Sequence, residues 1–274
     1  MARTTSFDES PDFVQSLARG LQVLRAFDHT LPQASLSEIA ERTGLARAVV
    51  RRNLLTLQHL GYVDSHGRQF LLTPRVLELG YSYLSSLGLG TLAQQPMEQL
   101  AAKVEESCSL SVLDGGDIVY VQRIPVRKVM SVALGIGARL PAFAASMGRV
   151  MLADFSAVAL ASWLREHKLK SFTPSTLHTA SALKSELSRV RAQGYALVAQ
   201  ELELGLCSIA VPIRAGNGRV VAGLNVSMQY SDGVRERATQ RVLPALRAAQ
   251  GAIERAIAGG GNLPLLLSRP AARA

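Results

Sequence analysis

Three arginines at helical spacing are the part of this sequence best suited to contact a polyanion. Arg47, Arg51 and Arg52 fall on one side of a helix predicted to begin at residue 47 and run to about residue 60, and Ala48 lies on the same side. No acidic residue lies three or four positions from Arg51 or Arg52, so local salt bridges do not explain this face. Guanidinium groups in this pattern suit phosphates and guanine edges. A merely solvated basic face is the alternative.

The segments before this helix predict two more helices. Ser35-Leu36-Ser37-Glu38 has the form of a capping box with Ser35 as the N-cap, and the helix that it opens is predicted to stop at Gly44. The amides at its start, near Ser35, are predicted to hold a phosphate. An earlier helix is predicted from apolar residues at three- and four-residue steps, all on one buried face: Val14, Leu17, Leu21, Leu24 and Phe27.

After Gly61 the pattern changes to short extended pieces at 62–63 and 69–72, with a polar turn at 64–68. Three helices followed by such a hairpin predict a winged helix-turn-helix, whose third helix enters the major groove. Arg68 lies where the wing would touch a phosphate. Residues 14 to 75 hold eight arginines and four acidic residues, in keeping with this interpretation.

Composition excludes several other classes of protein. The 274 residues carry a formal charge of +9, and 48% of them are hydrophobic, enough for one or two cored domains. No apolar run approaches the ~18 residues of a membrane span, and the N-terminus has no secretory pattern, so we expect a cytoplasmic protein with no membrane partner. The two cysteines, Cys108 and Cys207, lack partners at zinc-ligand spacing, and we predict no metal and no cofactor.

Several spaced motifs resemble the IclR family of bacterial transcription regulators over roughly residues 14 to 258. In the first third they are SLARGLQVL (16–24), SEIA (37–40), TGL (43–45), LLTL (54–57) and LGYV (60–63). Further along they are LTPRVLELGY (72–81), ARLP (138–141), GRVMLA (148–153), GLCSIAVPI (205–213) and GLNVS (223–227). Details after Gly44 and at 200–206 are most similar to the branch that regulates aromatic-acid catabolism through the β-ketoadipate route.

The resemblance and the patterns together predict an α+β protein. Residues 110–137, 194–198, 208–213 and 220–228 read as strands of an antiparallel sheet, and 156–169, 180–193 and 234–257 read as helices on one side of it. The resemblance implies a GAF-like effector domain. The expected divisions are a mobile arm at 1–13, a winged helix-turn-helix at 14–75, a linker helix and hinge at 76–93, an effector-binding domain at 94–258 and a flexible tail at 259–274.

Polar side chains on otherwise apolar strands are candidate ligand contacts. Asn225 and Ser227 are two apart, so both face one side of a strand, and Leu224, Val226 and Met228 face the other. The resemblance implies that such positions contact a carboxylate-bearing effector, an aromatic acid or ring-cleavage product, beside a helix opened by Ser146–Gly148. The predicted effector-binding residues are Ser146, Met147, Gly148, Cys207, Ser208, Asn225 and Ser227, with Arg139 and Arg149 as further candidates for the carboxylate.

The sequence departs from the implied branch at two positions, and it leaves two alternatives open. Ala199 and Cys207 stand where the resemblance implies aspartate and arginine, which favours a changed ligand. The expected function is a ligand-responsive regulator that binds double-stranded DNA as a dimer or as a tetramer of paired dimers, and that is not an enzyme. One alternative is a small-molecule sensor that acts through protein partners. The other is a serine hydrolase using Ser146, with Asp154, His167 and His178 following in triad order.

Overall fold

The computed structural model describes residues 7–28, 30–126 and 135–259. The predicted tail beyond residue 259, the start of the predicted arm and part of the predicted strand region at 110–137 lie outside the described residues. Close contacts divide the chain into two units, Met1–Tyr83 and Leu84–Ala274. The class is α+β, with a helix-turn-helix unit followed by a unit built on an antiparallel sheet, as predicted.

The first unit packs three helices against a small three-stranded sheet. The helices are α1 (Gln15–Leu24), α2 (Leu36–Thr43) and α3 (Arg47–His59). The strands are β1 (Gln33–Ser35), β2 (Val63–His66) and β3 (Gln69–Leu72), in the antiparallel order β1-β3-β2. Their core is formed by Val23, Ala26, Phe27, Ala34, Ile39, Val50, Leu54, Leu57 and Val63.

Local sequence signals explain where α2 begins and where it ends. The capping box of Ser35 and Glu38 is present at the start of α2, and Gly44 ends that helix with φ +68°, both as predicted. The turn of the hairpin is shorter than the predicted 64–68, because Gly67 takes a φ of +63° and allows β2 and β3 to be joined by two residues. Arg68 is the second residue of that turn.

The predicted buried face of α1 is wrong in part. Phe27 is buried and Leu24 is partly buried, but Val14, Leu17 and Leu21 are 59%, 62% and 46% exposed. The residues that face the core instead are Val23 and Ala26, on another side of the same chain segment. Periodicity identifies an apolar stripe, but it does not say which of two apolar sides meets the core.

The segment after the wing is helical almost throughout. A short 3₁₀ turn at Pro74–Val76 leads into α4 (Leu77–Leu87) and then, after Gly88, into α5 (Leu89–Val104). A helix therefore occupies 77–87, within the 76–93 predicted to hold the linker helix and the hinge. Residues 89–93, at the end of that range, are helical as well and belong to α5.

The second unit is built on a six-stranded antiparallel sheet in the order β6-β5-β4-β9-β8-β7. Its strands are β4 (Cys108–Asp114), β5 (Asp117–Ile124), β6 (Arg139–Pro141), β7 (Ala196–Ala199), β8 (Leu206–Arg214) and β9 (Val220–Gln229). Its later helices are α6 (Ser146–Leu152), α7 (Ala157–Glu166), α8 (Ala180–Gln193), α9 (Val234–Arg237) and α10 (Leu243–Gly259), with a π-helical turn at Ala238–Val242 between the last two.

Helices cover both faces of this sheet, not one face as predicted. Residues of α5 and α10 pack on one face together with Leu224, Val226 and Met228. Residues of α6, α7 and α8 pack on the other, against Ile118 and Tyr120 of β5. Because both faces of the sheet are buried, β8 is apolar nearly throughout. Its sequence therefore lacks the alternation of polar and apolar residues that would show which of its faces are covered by helices. No helix of the described ranges is long and apolar enough to cross a membrane.

Candidate functional site

The exposed side of α3 carries the predicted basic face. Arg47, Ala48, Arg51 and Arg52 are all exposed, while Val50, Leu54 and Leu57 of the same helix are buried in the core of the first unit. None of the three arginines pairs with a carboxylate in the part of the chain that the structure describes. The helix therefore presents three solvent-facing guanidinium groups whose charge is not balanced nearby.

Arg42, the arginine that precedes α3 in sequence, forms an ion pair instead of standing free in solvent. Arg42 at the end of α2 forms an ion pair with Asp28. The pKa of Asp28 is lowered to about 2, mainly because the Thr30 hydroxyl donates to its carboxylate at 2.6 Å, with a smaller contribution from Arg42. Arg42 therefore connects α2 to the loop after α1. The arginines of α3, in contrast, have no acidic partner among the described residues.

Ser35 has a structural role at the start of α2. Its N–H and its hydroxyl both donate to Glu38 Oε2, each at 2.7 Å, and these bonds hold the pKa of Glu38 below its ordinary value. A phosphate approaching this helix start would meet the Glu38 carboxylate. The structure thus explains Ser35 as a cap. By contrast, Arg68 is exposed at the tip of the wing, as predicted.

In the second unit, one face of the sheet carries a row of polar side chains beneath α6. Ser208 of β8 donates to Ser146 Oγ at 2.9 Å, which joins the sheet to the first residue of α6. Ser208 and Ser227 are paired across β8 and β9, and Asn225 precedes Ser227 by two on β9. We call Ser109, Arg123, Ser146, Ser208, Asn225 and Ser227 the polar face.

Two glycines let α6 approach its neighbours closely, one on the sheet and one in α6 against the 3₁₀ turn at Ala142–Ala144. A Cβ on Gly223 of β9 would lie 2.9 Å from Met147 Cα, and a Cβ on Gly148 would lie 2.1 Å from the Ala142 carbonyl oxygen. Ser111 of β4 also donates to Met147 Sδ at 3.2 Å. Met147 and Gly148 are therefore tightly packed, and their predicted contribution to a ligand site is limited to the amides of the first turn, which have no acceptor within the helix.

Asn225 is buried with one polar atom unpartnered. Its side chain is 3% exposed, and Nδ2 donates to Ser227 Oγ at 3.2 Å. Its Oδ1 has no hydrogen-bond partner among the residues that the structure describes. An amide oxygen without a partner away from water is unfavourable, so a group that donates to it is expected at this position.

Two members of the polar face were not predicted. Ser109 of β4 is fully buried and pairs in register with Asn225, and Arg123 of β5 donates to Ser109 Oγ at 3.2 Å. Ser109 could have been found from the alternation of Ser109 and Ser111 with apolar residues. Arg123 could not, because an irregularity in the strand pairing decides which face it occupies.

Cys207, which was also predicted to contact the effector, lies on the face of the sheet opposite to the polar face. Cys207 pairs with Ala199 and Met228, and all three belong to the apolar core on the opposite face of the sheet. Burial raises the pKa of its thiol to about 11, so the thiol is neutral at physiological pH. Because Ala199 lies on the same apolar face, neither departure from the family pattern changes the polar face directly.

Arg139 and Arg149 do not serve as free carboxylate anchors. Arg139 donates to Asp114 at 2.7 Å and to Asp117 at 3.2 Å, and so braces the turn between β4 and β5. Arg149 is 1% exposed and forms a bidentate salt bridge with Glu201, in which its two terminal nitrogens lie 2.8 and 2.5 Å from the two carboxylate oxygens. Both guanidinium groups are therefore matched by acids of the protein itself.

Ser146 lacks the surroundings of a nucleophile. Its described partner is the Ser208 hydroxyl rather than a base. The His167 ring stacks on Trp163, His178 Nδ1 lies 3.0 Å from the Thr176 carbonyl oxygen, and Asp154 pairs with Arg214. The residues suggested for a triad are thus engaged elsewhere, and the hydrolase alternative has no geometric support.

Comparisons with known proteins identify both units of the chain. Residues 16–67 match the model of the IclR helix-turn-helix domain, and residues 81–255 match that of the bacterial transcriptional regulator IclR C-terminal domain. The Pca regulon regulatory protein of Pseudomonas putida is 44% identical over 90% of this chain and 85% of its own length. The p-hydroxybenzoate hydroxylase transcriptional activator of Acinetobacter baylyi is 36% identical over 86% of this chain and 89% of its own.

A solved structure gives the same answer for the fold. An IclR homolog of Microbacterium hydrocarbonoxydans, complexed with 4-hydroxybenzoate, is 26% identical, with a TM-score of 0.77 over 89% of this chain and 99% of that one. The two domain models match different residues, in the same order as the two units seen in the structure. The chain belongs to the IclR family of bacterial transcriptional regulators.

Proposed function

We propose that this regulator controls genes of aromatic-acid catabolism and that a carboxylate-bearing aromatic acid, or a product of ring cleavage, binds at its polar face. The observation that carries the proposal is the buried polar face itself, because hydroxyl and amide groups withdrawn from water need partners. The relatives supply the chemical class, since one is named for the Pca regulon, another for p-hydroxybenzoate hydroxylase, and a third is complexed with 4-hydroxybenzoate. The proposed contacts are Ser146, Ser208, Asn225 and Ser227, with the first-turn amides of Met147 and Gly148.

The proposed DNA contacts lie on α3 and the wing. Arg47, Ala48, Arg51 and Arg52 face the major groove, where arginine reads guanine edges and the small alanine lets the backbone come close. Arg68 on the wing holds a phosphate. Ser35 contributes indirectly, by fixing the start of the helix that precedes α3.

We also propose that two copies of the chain associate through α1. One winged-helix unit reads too few base pairs for a genomic site, which calls for a pair of half-sites. Val14, the residue before α1, forms an exposed apolar stripe with Leu17 and Leu21 of α1, and the core of the unit leaves this stripe uncovered. A second copy, related by a two-fold axis, would cover the stripe with its own.

Leu17→Glu is expected to weaken this dimer. Each copy would lose a buried leucine worth about 1.5–3 kcal/mol, and the loss occurs twice across a symmetric interface, so the dimer dissociation constant should rise by about 100-fold or more. Analytical ultracentrifugation over a range of concentrations measures it. Val158→Glu is the matched control, because Val158 is 81% exposed on α7. A dimer equally stable in both variants would exclude α1 as the interface.

Effector binding is proposed to act through α4. A ligand that binds one arrangement of the second unit better than another shifts the balance between them. Because α4 follows the wing and precedes α5, such a shift would change the separation of the two DNA-reading helices in a dimer. DNA affinity or activation would then depend on the effector.

Asn225→Leu is expected to weaken effector binding about tenfold without changing DNA binding in the absence of effector. The substitution removes the hydrogen-bonding amide, and a lost hydrogen bond of this kind costs about 1–1.5 kcal/mol. Calorimetric titration with protocatechuate, 4-hydroxybenzoate and β-ketoadipate measures it. Ser227→Val should act in the same direction, and Cys207→Ala, on the opposite face, is the control. If the wild-type protein binds DNA but none of these acids, the proposed ligand class is wrong.

A further inference from the structure

A β-bulge determines which face of the sheet Arg123 occupies. Tyr120 pairs with Ser111, whereas Gln122 pairs with Leu110, so Val121 is an extra residue in β5. Simple alternation from Tyr120 would place Gln122 over the polar face. With the bulge, Gln122 turns to the other face and donates to Gln94 of α5, and Arg123 turns to the polar face.

Arg123 is a cation without a counter-charge in the described ranges of the chain. Its guanidinium is partly buried, and its hydrogen bond goes to the neutral hydroxyl of Ser109. Other arginines of the second unit are paired with acids, among them Arg139, Arg149, Arg214 and Arg237. A partly desolvated guanidinium without an acid beside it is suited to an anion that comes from outside.

Arg123, Ser109 and Asn225 form a row across three adjacent strands. Ser109 pairs in register with Arg123 on one side and with Asn225 on the other. Neighbouring strands are about 4.8 Å apart, so the two outer backbones are separated by roughly 10 Å. At one end of the row is an unpaired positive charge, and at the other is the unpartnered Oδ1 of Asn225.

We propose that these two ends fix the orientation and class of the effector, with its carboxylate on Arg123 and a hydroxyl group donating to Asn225 Oδ1. This inference rests on the proposed function, and it narrows the ligand to a hydroxylated acid. Arg123 becomes the residue that selects the charged form of the ligand. A hydroxyl group also accepts hydrogen bonds, so it would pair with Asn225 in either orientation of the amide.

The same argument ranks the ligands of the proposed pathway. 4-Hydroxybenzoate and protocatechuate carry both a carboxylate and a hydroxyl donor. β-Ketoadipate at neutral pH has two carboxylates and a ketone, all of which only accept hydrogen bonds, so it leaves Asn225 Oδ1 unpartnered. The expected ligands are therefore the hydroxylated ring acids, and β-ketoadipate is expected to bind more weakly.

The test compares three matched ligands on the full-length protein by calorimetry. 4-Hydroxybenzoate has both groups, benzoate lacks the hydroxyl, and 4-hydroxybenzamide lacks the charge. We expect the wild-type protein to prefer 4-hydroxybenzoate over the amide by about tenfold or more, since hydrogen bonds to charged groups are the stronger ones. Arg123→Met should abolish that preference, and Arg123→Lys should retain part of it. Asn225→Leu should instead abolish the preference for 4-hydroxybenzoate over benzoate.

The controls separate this inference from the proposed function. Arg165→Met removes an exposed arginine of α7 and should leave both preferences unchanged. If Arg123→Met has the melting curve of the wild-type protein and still prefers 4-hydroxybenzoate over 4-hydroxybenzamide, the inference about Arg123 is overturned. The proposal of an aromatic effector is then unaffected. If aromatic acids fail with wild-type protein but an aliphatic hydroxy acid binds with the Arg123-dependent preference, only the aromatic proposal falls. Failure of both classes of acid would overturn both.

Discussion

Arg51→Ala is expected to lower the affinity of the protein for its DNA site by about 100-fold or more. A bidentate contact between arginine and guanine is worth about 1–3 kcal/mol, and a dimer loses it in both half-sites. Arg51 is exposed and has no acidic partner in the described parts of the protein, so the substitution should leave stability within about 0.5 kcal/mol. The duplex for the measurement is obtained by selecting a random library with wild-type protein, and affinity is then read by fluorescence anisotropy.

Three further measurements make this prediction sharp. Arg165→Ala removes the same charge from α7, which carries none of the proposed DNA contacts, and should change DNA affinity less than about twofold, because exposed charges that make no contact are screened by salt. Arg51→Lys keeps the charge without the planar fork, so it should lose preference for the selected sequence more than it loses binding to unrelated duplex. Arg68→Ala should weaken all duplexes alike and reduce the salt dependence.

An unchanged affinity in Arg51→Ala would remove α3 as the helix that reads DNA. The salt dependence addresses the remaining alternative, a sensor that acts only through protein partners. Binding to phosphates releases counterions, so the logarithm of the affinity should fall with the logarithm of the salt concentration with a slope near −0.9 for each phosphate contacted. A protein that retained its helix-turn-helix only as a protein interface would show no such slope.

Glu201→Leu is expected to destabilise the second unit by about 3–5 kcal/mol. It removes the carboxylate that the guanidinium of Arg149, which is 1% exposed, meets at 2.8 and 2.5 Å, and leaves the more distant Glu186 carboxylate, at 3.7 Å and shared with Arg189, as its counter-charge. The Leu177 N–H, which donates to Glu201 at 3.0 Å, loses its acceptor as well. The melting temperature should fall on the order of 10 °C. Urea unfolding followed by the fluorescence of Trp163, the single tryptophan and a buried one, measures the free energy.

A second variant shows whether the lost stability comes from leaving the buried Arg149 guanidinium without its Glu201 partner. In Arg149→Met with Glu201→Leu, both charges are gone and apolar groups fill the space, so at least half of the lost stability should return. Glu203→Gln, two residues along and exposed, is the matched control and should be near neutral. A loss below about 1 kcal/mol for Glu201→Leu alone would mean that the Arg149 charge is solvated in some other way.

The ion pair also bears on the effector site. Arg149 lies on α6, three residues after Ser146, and its Nε donates to the Phe143 carbonyl oxygen at 2.8 Å. Glu201 belongs to the loop between β7 and β8. The pair therefore holds α6 against the sheet, in the position from which Ser146 meets Ser208. We expect variants that keep the fold but lack this pair to bind the effector more weakly, even though neither residue belongs to the polar face.

Features set by neighbours along the chain were predictable from sequence. The capping box of Ser35 and the end of α2 at Gly44 depend on hydrogen bonds and backbone angles within a few residues. The three arginines of α3 share a side because of helical geometry alone. Asn225 and Ser227 share a face because a strand repeats every two residues. The same period already places Cys207 and Ser208 on opposite faces, so the sequence excluded one of them from the site without saying which.

The tertiary structure decided what depends on partners distant in sequence. Periodicity found the apolar stripe of α1 but could not tell that Val23 and Ala26, rather than Leu17 and Leu21, meet the core. Arg149 looked like a ligand anchor until Glu201, 52 residues away, proved to neutralise it. Arg123 was missed because one extra residue in β5 reverses the face of everything after it. The position of a bulge depends on how two strands pair, and the pairing of buried charges depends on how helices, strands and loops pack together. Neither can be predicted from the pattern of neighbouring residues in the sequence.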